Sequence, residues 1–127
     1  VLLALPVYAE NIPPPEVEVE IVEVKTQAGC NQYRHLVEKY DWDTELVMKI
    51  MELESSCNTN AVGDKNLTFA NGTMGMSCGL MQVRVLEGRP DCETLKNPET
   101  NIEWAYMVYK QQGYKAWTVY RKYLTLK

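Results

Sequence analysis

Glu54 lies seven residues after Val47 and four after Ile50, and in a helix those spacings fall on one face. A carboxyl group on the apolar side of a helix loses hydration, which disfavours its charged form and raises its pKa. An acid that keeps its proton near neutral pH is what general acid–base catalysis requires. Taken alone, a Glu at a helix end reads as a surface residue that frays outward, so the rest of the chain must decide. Metal chemistry lacks its ligands. Cys30, Cys57, Cys78 and Cys92 form no Cys-x-x-Cys clip and His35 is the single histidine, so no zinc set is expected. No metal and no other cofactor is anticipated, and His35 reads as structural or exposed.

The element that must position Glu54 is a helix over about Thr44 to Ser55. Leu46, Val47, Ile50, Met51 and Leu53 give it an apolar stripe, and Asp41-Trp42-Asp43 breaks a preceding short helix (about Gln32 to Lys39) and offers the cap. Beyond it, Asn58 to Ser77 is rich in Asn, Gly and Thr. Asn71-Gly72 stands between Leu67-Thr68-Phe69-Ala70 and Thr73-Met74, the strongest short-range signal for a hairpin with a type I′ turn. A third helix is expected from Gly79-Leu80-Met81-Gln82-Val83, stopped by Gly88 and Pro90. Asn97-Pro98 with Glu99 announces a fourth, whose buried side is Ile102, Ala105, Tyr106 and Tyr109 and whose end is Gly113. A last short helix, Ala116 to Tyr123, carries Trp117 and Tyr120. The expected fold class is α+β and mostly α, a helical domain with a small β-hairpin lobe.

The chain's beginning differs in kind from this part. Residues 1–9 are apolar and uncharged and end in Val7-Tyr8-Ala9, so they read as the remnant of an export signal. Residues 10–29 form an acidic arm or linker: Pro13-Pro14-Pro15 excludes helix interior, and Glu16 to Val24 alternates acid with β-branched residues. Residues 1–29 hold five Glu and one Lys, a net −4 that equals the whole formal charge of the protein. Residues 30–127, read as the catalytic domain, balance twelve basic against twelve acidic residues, which gives no argument for nucleic-acid binding. No membrane span is expected, since residues 1–9 are too short for one. The four cysteines lie in this neutral part. Behind an export signal an even count implies two disulfides in an oxidising compartment. Three connectivities are open. The expected one is Cys57–Cys92 with Cys30–Cys78, because a Cys57–Cys92 bond would fix the fourth helix against that of Glu54.

Three segments supply the reason to prefer chemistry at Glu54. Glu54-Ser55-Ser56-Cys57-Asn58-Thr59-Asn60-Ala61 is similar to the Glu-Ser-x-x-Asn-x-x-Ala run of lytic transglycosylases and goose-type lysozymes. Gly79-Leu80-Met81-Gln82 matches their Gly-Leu-Met-Gln signature, and Asn97-Pro98-x-x-Asn101-Ile102 resembles the segment that opens their long final helix. All occur in the family's order, over roughly Tyr33 to Tyr123. The resemblance implies a lysozyme-like enzyme acting on peptidoglycan glycan strands, and a monomer is the expected state of the exported chain. In such an enzyme Glu54 protonates the leaving oxygen of the MurNAc–GlcNAc bond. A lytic transglycosylase needs no second carboxylate, because the substrate's acetamido and 6-hydroxyl groups close a 1,6-anhydro sugar.

The same resemblance puts Gln82, Ser56, Met81 and Tyr120 among substrate-binding residues. Asp64, ten residues after Glu54, falls where goose-type lysozymes keep helper aspartates and would position a water for hydrolysis, although Asp beside Gly63 reads first as a turn former. The chain departs from the family in two places. Tyr120-Arg121-Lys122-Tyr123 stands where Tyr-Asn-x-Gly is common, and Glu54 and Gln82 are 28 positions apart, farther than usual. Trp42, Trp104 and Trp117 read as core, with Trp117 the first candidate for stacking on a sugar. Three alternatives remain: a muramidase of the same fold, a silent glycan-binding module, and a disulfide-stapled interaction domain.

Overall fold

The computed structural model describes residues 29–68 and 74–125. The apolar and acidic segments at residues 1–28 and the Asn71-Gly72 turn lie outside them. The first described element is a 3-10 turn, Cys30–Tyr33, which runs into a short helix α1, Arg34–Val37. Helix α2 spans Thr44–Ser55, as its periodicity predicts. Asp43 caps it in extended backbone, its Oδ1 accepting from the Leu46 N–H at 3.1 Å, one of the donors a helix start leaves unpaired. The buried face is Val47, Met48, Ile50, Met51 and Ser55. Leu53, expected on that stripe, is instead 41% exposed. It follows Ile50 by three positions, but the contacting face is centred on Val47, Ile50 and Met51, and Leu53 turns away from it.

After α2 come β1 (Val62–Thr68), β2 (Met74–Cys78) and β3 (Val83–Arg84). They form a three-stranded antiparallel sheet in the order β1-β2-β3. Val62 pairs with Cys78 and Gly63 with Ser77, but the register shifts before Leu67 meets Gly75. Asp64 sits in that bulge at φ 56°, so it is not a turn residue but a residue re-aimed by an irregularity in a strand.

The third helix expected from Gly79 does not form. Gly79 and Gln82 both have positive φ, 83° and 50°, which a right-handed helix excludes. The Gln82 N–H closes a turn on the Gly79 carbonyl at 3.0 Å. The chain then continues as β3, where Val83 pairs with Cys78 and Arg84 with Ser77. Gly79 has a second constraint: a Cβ there would overlap the Asn101 side chain and the Leu95 carbonyl.

Helix α3 (Cys92–Leu95) precedes α4 (Pro98–Gln112). Asn97 caps α4 through its Oδ1 to the Thr100 N–H at 3.0 Å, Pro98 opens it and Gly113 at φ 76° ends it. Asn101, Ile102, Ala105 and Val108 are its buried residues. Tyr106 and Tyr109, expected there, are half-buried and join an aromatic cluster with Tyr40, Trp42 and Tyr114. The closing segment is a 3-10 turn, Tyr114–Ala116, and a π-helical turn, Tyr120–Leu124. The core gathers Leu36, Val37, Ile50, Met51, Leu80, Met81, Leu95 and Ile102 between α1, α2, α4 and the sheet's end.

The disulfides are Cys30–Cys57 and Cys78–Cys92, with Cα atoms 5.2 and 5.6 Å apart. This corrects the expected pairing. The 3-10 turn at Cys30 packs on α2 beside its exit at Cys57, and the end of β2 packs on α3, whose first residue is Cys92. Each bond therefore staples neighbours, and neither joins α4 to α2.

Candidate active site

Glu54 emerges from the last turn of α2 into a cleft of about 470 Å³. Asp64 on β1, Ser77 on β2 and Arg84 on β3 line the same cleft, as do Trp117, Val119 and Arg121 from the closing segment. Glu54 is half-buried, and its pKa is pushed up to about 7, first by burial and then by the negative charge of Asp64. Burial acts because removing water penalises the carboxylate more than the neutral acid. Asp64 itself is held: its Oδ2 accepts from Ser77 Oγ at 2.8 Å and from Arg84 Nη2 at 3.4 Å. The cleft thus contains a carboxyl group that keeps its proton near neutrality and a second carboxylate paired with a guanidinium. Among the described residues no group of three or more His, Cys, Asp or Glu side chains is placed to hold a metal ion.

One peptide segment, Leu80-Met81, fixes this arrangement. Ser55, next to Glu54, donates its Oγ to the Leu80 carbonyl at 2.8 Å and accepts from the Cys57 N–H at 3.0 Å. Asn101 of α4 is fully buried. Its Oδ1 accepts from the Met81 N–H at 2.7 Å, and its Nδ2 donates to the Cys78 and Leu95 carbonyls at 2.8 and 2.9 Å. Trp117 Nε1 donates to the Met81 carbonyl at 2.8 Å. Three side chains from three distant segments therefore grip one turn, and buried polar groups left without such partners would be costly. Gln82 follows this turn and lines the cleft. Its Nε2 donates to the carbonyls of Ala61 and Gly79 at 3.0 and 3.1 Å. Its Oε1 lies so near Gly63 that a Cβ there would be 2.5 Å away.

Glu54, Asp64 and Gln82 are brought together in the cleft. Met81 is fully buried in the core, so its side chain does not reach a ligand. Ser56 is exposed at φ 53° as the C-cap of α2 and Tyr120 packs against Tyr114 with ring centroids 5.6 Å apart; neither lines the cleft. Trp117 lines the cleft but is only 5% exposed, and its indole N–H is spent on the backbone. The sequence reading missed Ser55, Ser77, Arg84, Arg89 and Arg121. Ser55 was signalled by its place beside Glu54. Arg84 was obscured because the strand that carries it read as a helix.

The transglycosylase SLT domain family matches residues 32–123, a span that opens with the 3-10 turn before α1 and closes within the π-helical turn. The chain belongs to the transglycosylase SLT domain family. That membership places it in the lysozyme-like superfamily, in a family whose members are typically peptidoglycan lytic transglycosylases. Comparison with curated proteins and with solved structures finds no match. The two disulfides and the SLT domain together fit an extracytoplasmic protein. Among the described residues no helix is long and apolar enough to cross a membrane.

Proposed function

We propose that this SLT domain cleaves the β-1,4 bond between MurNAc and GlcNAc as a lytic transglycosylase, with Glu54 as its acid and then its base. The observation that carries the reading is the half-buried Glu54 in the cleft, with its pKa raised to about 7. Protonated Glu54 gives its proton to the glycosidic oxygen as the C1–O bond breaks, and the positive charge that develops at C1 is met by the acetamido oxygen of the same sugar. The Glu54 carboxylate then accepts the proton of the 6-hydroxyl as that oxygen bonds to C1. A 1,6-anhydro end results, no water is consumed, and Glu54 returns to its starting state. Gln82, beside the catalytic helix in the cleft, is proposed to contact the saccharide through the face its carbonyl bonds leave open. Export of the protein across a membrane accompanies this reading.

Asp64 supports a second outcome, hydrolysis. It lines the same cleft as Glu54, and a carboxylate on the opposite side of the bond is what an inverting hydrolase uses to activate water. Its engagement by Ser77 and Arg84 favours the first reading, since two of its acceptor positions are already taken. Mass spectrometry of muropeptides released from purified peptidoglycan separates them. Anhydro ends are expected; reducing ends would identify a hydrolase, and an absence of products would leave a glycan-binding module.

A further inference from the structure

Beside the cleft runs a second groove of about 490 Å³. Arg89 and Val108 line both, so the two adjoin at that point. The groove is floored by Trp104, Met107 and Val108 and edged by Glu87, Arg89 and Lys110. Arg89 and Lys110 make no ion pair with a carboxylate among the described residues. Arg89 Nη1 instead donates to the Arg84 carbonyl at 3.2 Å, and burial followed by the nearby Arg84 charge lowers its pKa. Lys110 lies over the Tyr106 ring, 5.3 Å from its centroid. The groove therefore offers two cations against the one exposed carboxylate of Glu87, over an apolar floor.

A saccharide in the cleft that carries a side branch has a second groove next to it, at Arg89, for that branch. Building on the glycan-cleaving reading above, we propose that this second groove holds the peptide attached to the lactyl group of the muramic acid, with Arg89 at the branch point. The chemistry matches on two counts. Such a peptide carries free carboxylates for Arg89 and Lys110, where charge-assisted hydrogen bonds are the strong ones. It also carries short aliphatic side chains for the Trp104 and Met107 floor. The groove makes the domain selective for peptide-bearing strands over bare glycan.

The test compares the full chain on soluble glycan strands that keep their peptides with the same strands stripped by an amidase. Stripping leaves a lactyl carboxylate, so charge on the sugar persists and only the peptide is lost. The wild type is expected to favour peptide-bearing strands about tenfold in kcat/KM, the worth of one charge-assisted contact. In Lys110→Gln and in Arg89→Gln that ratio should fall below about threefold. A wild-type ratio near one overturns the proposal, as does a tenfold ratio that persists in both variants. Should the wild type cut neither substrate, the cleavage reading fails and a binding experiment still decides. Titrating millimolar free stem peptide into the protein should move the Trp104 indole resonance in the wild type and not in Lys110→Gln. No movement overturns the proposal.

Discussion

At the scale of single residues, the proposed chemistry rests on one carboxyl group, that of Glu54, whose surroundings make two measurable claims. Glu54→Gln keeps the shape and removes the transferable proton, so glycan cleavage should fall by about 10²–10⁴-fold while circular dichroism and strand binding are retained. A variant that cleaves at the wild-type rate would remove Glu54 from the reaction. The second claim concerns stability. Glu54 has a folded pKa of about 7 against 4.5 for an ordinary Glu. Between those values the folded state holds a proton that the unfolded state has released, so stability falls as pH rises through that window and levels off above it. Glu54→Gln lacks this slope. Thermal midpoints measured at pH 4 and pH 8 should therefore drop further for the wild type than for the variant. Equal drops would mean that the carboxyl group is not desolvated.

At the scale of elements, the Leu80-Met81 turn is where the three sequence motifs meet. The Glu-Ser run supplies Ser55, the Gly-Leu-Met-Gln run supplies the gripped peptide, and the Asn-Pro-x-x-Asn run supplies Asn101. Asn101→Ala strands the Met81 N–H and two carbonyls in the core, and should cost about 2–4 kcal/mol, read as a lower urea midpoint. A loss under about 1 kcal/mol would show that water or rearrangement satisfies these groups. The motifs were legible in the sequence, but their convergence was not, because hydrogen bonds across 20 or 36 positions leave no local pattern. The helices α2 and α4 were legible almost to the residue, since Asp43 and Asn97 cap them and a 3.6 period fills them. The stretch after Gly79 was not: Leu80, Met81 and Val83 read as a helix, and the positive φ of Gln82 has no signal in residue type. Asp64 was misread for a related reason, since an Asp beside a Gly looks the same in a turn and in a bulge. The cleft's arginines stayed hidden behind a zero net charge, which reports how many charges there are and not where they gather.

At the scale of the whole molecule, a small domain is held by two covalent staples. Cys30–Cys57 and Cys78–Cys92 close segments with sequence separations of 27 and 14, for which the chain-entropy account gives about 3.5 and about 3 kcal/mol. Their sum is comparable to the entire net stability of an ordinary domain. Reduction should therefore unfold the protein or lower its thermal midpoint by tens of degrees, and non-reducing peptide maps should return these two pairs. A reduced protein that melts at the oxidised temperature would contradict this. The sheet lobe shows a different kind of independence. Its two ends are joined where the Gly79 N–H donates to the Ala61 carbonyl at 2.9 Å and Val62 pairs with Cys78, and the Leu80-Met81 turn beyond is anchored from elsewhere. Whatever length of chain lies between those ends begins and returns at one fixed doorway. Lengthening it costs only a slowly growing closure entropy, about 0.6 kcal/mol for each doubling. The lobe is accordingly an exchangeable cassette, through which one wall of the cleft can be restyled for a new strand chemistry without moving the acid.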